Sequence, residues 1–126
     1  MRLHHVQVCC RPGEEDRARR FYGEGLGLTE VEKPAELAGR GGAWFRAYDE
    51  DGTVTAEVHV GVEEPFRPAR KAHPALVLGS VAELEEVLSR LVAMGAHVDR
   101  SEWNTFPGYL RAHTGDFHGN RVELLA

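Results

Sequence analysis

The sequence predicts an α+β fold of two tandem modules, each running strand–helix–strand–strand–strand (βαβββ). Three observations predict it. Short apolar runs alternate with a period of two and are bounded by Gly, Pro and Asp; two stretches have helical spacing instead; and the whole pattern restarts past a charged, proline-bearing segment at 63–71. The restart keeps a nearly constant offset. His73 follows His5 by 68 residues (73 − 5), and Gly95 follows Gly27, each closing a helix, by the same 68 (95 − 27). Glu123 follows His59 by 64 (123 − 59), so the second module is a few loop residues shorter. A repeat of a whole supersecondary unit predicts two sheets of like shape, related by a pseudo-twofold axis. Module 1–62 and module 72–126 are then joined by linker 63–71 in a single domain.

The elements follow in order. The first strand covers 3–10, where Val6 and Val8 alternate with His5 and Gln7. Pro12 breaks it and, with Glu14, Glu15 and Asp16, starts a helix whose positive end suits those carboxylates. Ala18, Phe21 and Tyr22 mark its buried side, and Gly23, Gly25 and Gly27 are expected to end it. A second strand at 28–31, a turn of helix at 35–38 and a third strand at 43–48 come next. Asp51-Gly52 reads as a hairpin turn into a fourth strand at 54–62. In the second module 73–78 is the fifth strand. Ser80 and Glu83 form an S-x-x-E capping box for a helix whose apolar face is Leu84, Val87, Leu88 and Leu91. Gly95 stops it, and strands at 96–98, 109–113 and 120–125 complete the module.

A chain of 126 residues suits one compact domain. Its net charge is −5, from 15 Lys and Arg against 20 Asp and Glu, and it has no basic stripe, which excludes a nucleic-acid binder. No apolar run reaches the roughly 18 residues needed to span a membrane, and Met-Arg-Leu-His-His is too polar for a signal peptide. A cytoplasmic location is expected. Cys9 and Cys10 are adjacent, so on a strand they point to opposite faces and read as two small strand residues rather than a disulfide.

Side-chain alternation sorts each strand into a face that packs on the helix and a face that lines what the sheets enclose. Val6 and Val8 pack, so His5 faces inward; Val58, Val60 and Val62 pack, so Glu57 and His59 face inward. Pro74, Leu76 and Leu78 leave His73 inward, and Val122 and Leu124 leave Arg121 and Glu123 inward. The first and last strand of each module thus contribute one imidazole or carboxylate apiece: His5, His59, His73 and Glu123. Burying Glu123 beside three imidazoles is costly unless a cation compensates, and a divalent metal ion would do so. This donor set suits Zn, Ni, Co, Mn or Fe(II) rather than Ca or Mg. Trp44 and Arg46 on the third strand, and Tyr109, Arg111 and His113 on the seventh, also face inward and are candidate substrate-binding residues. For Arg46 and Arg111, ion pairs with acidic neighbours are the competing reading.

The chain resembles the vicinal oxygen chelate superfamily, also called glyoxalase/bleomycin resistance/dioxygenase. The resemblance rests on His5-Val6 opening the first strand, Phe21-Tyr22 followed by Leu26-Gly27-Leu28, and Gly119-Asn120-Arg121-Val122-Glu123 at the end. It implies two βαβββ modules forming an open, cup-shaped mixed sheet with the helices outside. It also implies metal ligands at His5, His59, His73 and Glu123, and a homodimer. Two positions depart from the family pattern. His59 stands where glyoxalase I has Glu and methylmalonyl-CoA epimerase has Gln. The turn Asp116-Phe117-His118-Gly119-Asn120 lacks the family's proline and is expected to be looser for it.

The function these features imply is a metal-dependent isomerase or lyase acting on a small oxygen-chelating substrate. The metal is the Lewis acid toward the developing oxyanion, and Glu123 is the available base. The alternatives are a non-catalytic small-molecule or antibiotic-sequestering protein, an Fe(II) dioxygenase, which a fourth ligand at His59 disfavours, and a closed structural metal site.

Overall fold

A computed structural model describes residues 1–126, which divide into two compact units, Met1–Arg67 and Pro68–Ala126. The first contains β1 (Val6–Cys10), α1 (Glu15–Ala18), a π-helical continuation (Arg19–Gly25), β2 (Thr29–Val31), α2 (Ala35–Ala38), β3 (Ala43–Tyr48) and β4 (Val54–Val62). Its sheet runs β1-β4-β3-β2, with β1 parallel to β4 and the other pairs antiparallel. The β-branched run on β4 suits a central strand, and Val58 and Val60 are buried there with Phe45 of β3. Phe21 and Tyr22, fully buried, fasten the helical segment to this core, with the Tyr22 and Phe45 rings 5.6 Å apart.

The second unit contains β5 (Ala75–Val77), α3 (Val81–Ala93), β6 (Val98–Asp99), β7 (Arg111–Gly115) and β8 (Arg121–Leu125). Its sheet runs β5-β8-β7-β6, again with the first strand parallel to the last. The predicted α+β class and its repeated topology are therefore present as two four-stranded mixed sheets. Leu84, Val87, Leu88 and Leu91 of α3 are all buried, as the spacing predicts. Each such side chain stabilises the unit by about 1.5–3 kcal/mol relative to exposure. Ser80 Oγ accepts from Glu83 N at 3.1 Å, whereas the Glu83 carboxylate reaches back one residue further than the box predicts, to Gly79 N at 2.8 Å.

Several boundaries differ from expectation. The helical segment runs through Gly23 and Gly25, because the i→i−5 bond from Leu26 N to Phe21 O (2.9 Å) widens it; only Gly27, at φ +76°, terminates it. β1 begins at Val6 and β5 at Ala75, so His5 and His73 sit just before their strands. Pro74 lacks a donor for the ladder, though its carbonyl still accepts from Glu123 N at 2.9 Å. β6 covers Val98–Asp99 and β7 covers Arg111–Gly115, each displaced toward the C-terminus. Tyr109 lies outside β7, its N–H closing a turn on Phe106 O. The turn without proline is held firmly. Asp116 Oδ1 accepts from His118 N (2.9 Å) and Asn120 N (2.8 Å), and Oδ2 accepts from Asn120 Nδ2 (2.8 Å).

Candidate metal centre

Parallel pairing of the first and last strands places the two halves of each predicted pair side by side. In the second unit β8 presents Glu123 beside β5 on one flank and opposite His113 of β7 on the other. Ligand atoms of His73, His113 and Glu123 all lie within 4.8 Å of one another. His73 Nε2 is 3.1 Å from Glu123 Oε2, and His113 Nε2 is 3.7 Å from Glu123 Oε1. Arg111 holds the carboxylate in place, donating from Nη1 to Oε1 at 3.0 Å, while its other nitrogen meets Glu102 and Thr105. Burial pushes the Glu123 carboxyl up, but the bonds from His73 and Arg111 outweigh it and hold the group below the usual carboxylate range. His113 is pushed below the usual imidazole value, first by burial and then by the charge of Arg121.

The donor chemistry fits a metal. His73 Nδ1 lies 2.6 Å from Lys71 O, which can only accept, so Nδ1 carries the ring proton. In the neutral ring Nε2 then has its lone pair aimed at Glu123 Oε2, another acceptor, 3.1 Å away. Two acceptors facing at this distance require a cation between them, either a proton on His73 or a metal ion. A backbone carbonyl fixing the far nitrogen is also how metal-binding histidines are commonly oriented.

In the first unit the register pairs Trp44 with His59 and Arg46 with Glu57. The His59 ring is sandwiched between Trp44, parallel at 3.8 Å, and His5 at 4.1 Å and 17°. His59 Nε2 bonds to Glu57 Oε1 at 2.6 Å, and Arg46 Nε donates to Glu57 Oε2 at 2.7 Å. Burial pushes the Glu57 carboxyl up, yet Arg46 and His59 together bring it below the ordinary range; burial pushes the His59 imidazole down. His5 Nδ1 is 3.0 Å from His4 Nδ1.

The predicted residues thus fall into two groups. His73 and Glu123 meet each other, and His5 and His59 stack on each other. Arg46 and Arg111, read as substrate-binding or ion-paired, are each bonded to an acidic side chain. Trp44 covers His59, and Tyr109 is exposed at 41%. The membership of His113 in the carboxylate cluster was not singled out from the sequence. The signal was present, since a hairpin through 116–119 pairs residue 113 with residue 123.

The family profile carrying this architecture matches residues 2–124. The chain belongs to the Glyoxalase/Bleomycin resistance protein/Dioxygenase superfamily. Among solved members of like fold, a protein assigned to the glyoxalase family from Bacillus anthracis is 37% identical, with 99% of this chain and 98% of that chain covered and a TM-score of 0.81. The fosfomycin resistance protein FosX from Listeria monocytogenes is 13% identical, over 100% and 90% of the two chains, with a TM-score of 0.71. Lactoylglutathione lyase from Agrobacterium tumefaciens is 18% identical over 98% and 92%, at 0.67. These last two share the superfamily's fold with this chain. No curated protein matches it. No helix is long and apolar enough to cross a membrane.

Proposed function

We propose that this superfamily member is a cytoplasmic, metal-dependent isomerase or lyase of glyoxalase type, acting on a small oxygen-chelating substrate as a homodimer. The observation that carries the reading is the convergence of ligand atoms of His73, His113 and Glu123, all within 4.8 Å of one another. His73, His113 and Glu123 hold a divalent transition metal (Zn, Ni, Co, Mn or Fe), which when bound polarises the substrate's oxygens as a Lewis acid. Arg111 keeps Glu123 Oε1 fixed, and the Glu123 carboxylate is the candidate base that takes and returns the substrate proton. Trp44, Arg46, Tyr109 and Arg111 remain the proposed substrate-facing residues, while His113, expected from the sequence to bind substrate, is reassigned to the metal. The sequence expectation that His5 and His59 are also metal ligands is a separate proposal, tested by metal content in His5→Ala and His59→Ala variants. Because His59 Nε2 is committed to Glu57, its ligand atom is Nδ1.

The test is deuterium uptake from D2O, followed by NMR, at the carbon next to the carbonyl of small α-hydroxycarbonyls. Metal-loaded protein should catalyse it and Glu123→Gln should not. Absence of exchange with every metal, together with retained ligand binding, would favour the sequestering alternative. A second reading is favoured by one observation: two histidines and one carboxylate in a cluster is the donor set of non-haem Fe(II) oxygenases. Oxygen consumption by Fe(II)-loaded protein with catechols would select it.

A further inference from the structure

We infer that Arg121 forms an anion subsite beside the candidate metal centre, binding a carboxylate, phosphonate or phosphate that the substrate carries a few atoms from its metal-chelating oxygens. The inference rests on the metal-centre reading above for what lies next to the subsite, and on separate observations for the subsite itself.

Arg121 precedes Glu123 by two residues on β8, so the two side chains share a face of the sheet. Its cross-strand partner is Gly115, which has no side chain to cover it. Gly115 borders a wide-open cavity of about 290 Å³, lined also by His97, Asp99, His113 and Arg121. His113 belongs both to this wall and to the ligand cluster, so the cavity and the metal centre are contiguous.

The arginines distinguish themselves by their partners. Arg46 and Arg111 are each bonded to a buried carboxylate, Glu57 and Glu123. Arg121 forms no ion pair, although it is half-buried and faces the cavity. An unpaired guanidinium presents a fork of donors that matches a carboxylate or phosphate oxygen pair. Asp99 is the opposing charge on the wall. Its Oδ1 is engaged by Ser101 N at 2.8 Å, and it weakens the site for anions without filling it.

The strand sets the reach. Two residues of β-strand span about 7 Å, so an anionic group on Arg121 lies within the length of a short chain from oxygens held near Glu123. The implied substrate is a short chain with adjacent oxygens at one end and an anion at the other.

The probe pair is 2-hydroxyglutarate, which carries a distal carboxylate, and 2-hydroxypentanoate, which has a methyl end instead. Binding of each is measured by calorimetry, on metal-loaded and metal-free protein, beside metal content. Wild-type protein should prefer 2-hydroxyglutarate by about tenfold or more, the worth of a charge-assisted bidentate contact. Arg121→Gln should abolish the preference and leave metal content unchanged. Asp99→Asn should enlarge the preference, a gain that misfolding cannot produce. Equal preference in wild type and Arg121→Gln, or a preference diminished by Asp99→Asn, overturns the subsite while leaving the metal reading intact. An Arg121-dependent preference in protein that takes up no metal upholds the subsite and overturns the metal reading.

Discussion

Glu57 Oε1 lies 2.6 Å from His59 Nε2, and both side chains are buried on β4. With Arg46 holding Glu57 ionised, the carboxylate accepts and Nε2 donates, so the neutral His59 ring has its lone pair on Nδ1. Long-range nitrogen–proton NMR of the wild type should show the Nε2–H tautomer at His59. Glu57→Ala should lose that tautomer preference and cost about 1–3 kcal/mol in urea unfolding, because a buried donor loses its acceptor. An Nδ1–H tautomer in the wild type contradicts the assignment.

Acid should destabilise the fold in two stages. His59 and His113 are pushed below the imidazole value of 6.5, chiefly by burial, so the folded state resists protonation more than the unfolded chain does. Their contribution is complete above pH 6.5 and is lost as pH falls toward the folded values. Glu57 and Glu123, held below 4.5 by their hydrogen-bond partners against burial, add a second loss below that pH. Thermal melting between pH 7.5 and 3.5 should show both falls. A Tm that is flat down to pH 5 contradicts the first.

Gly42 and Gly52 have nearly the same left-handed φ, +80° and +79°, but different surroundings. A Cβ on Gly42 would come within 2.1 Å of Val60 O, whereas one on Gly52 meets nothing within 4 Å. Gly52→Ala should therefore cost only the backbone strain, about 1–2 kcal/mol. Gly42→Ala should cost upwards of about 3 kcal/mol, since a backbone carbonyl of β4 must move. Equal losses in denaturant titrations contradict this difference.

On α3, Leu88 is fully buried and Val92 is 58% exposed. Leu88→Ala should cost about 2–5 kcal/mol and Val92→Ala within about 0.5 kcal/mol. Matching losses would mean that the helix does not present the face its sequence spacing implies.

Much of this was readable from residue order. Alternation on β4 separates Val58 and Val60 from Glu57 and His59, and the 68-residue offset finds the second module. The spacing of Leu84, Val87, Leu88 and Leu91 identifies the buried face of α3. What was less legible depends on hydrogen bonds that carry no sequence period. The π-type bond from Leu26 to Phe21 keeps Gly23 and Gly25 helical. Lys71 O fixes the His73 tautomer, and Asp116 ties the proline-free turn. His113 joins Glu123 through hairpin register, which a slip of one residue would have reversed.

The most direct test of the central claim is elemental analysis of protein purified without a metal-affinity tag and offered Zn, Ni, Co, Mn and Fe(II). About one transition metal per chain in the wild type is predicted, with its loss in His73→Ala and Glu123→Ala and weaker retention in His113→Ala. Protein that binds none of these metals, or that keeps its metal when both His73 and Glu123 are replaced, contradicts the account.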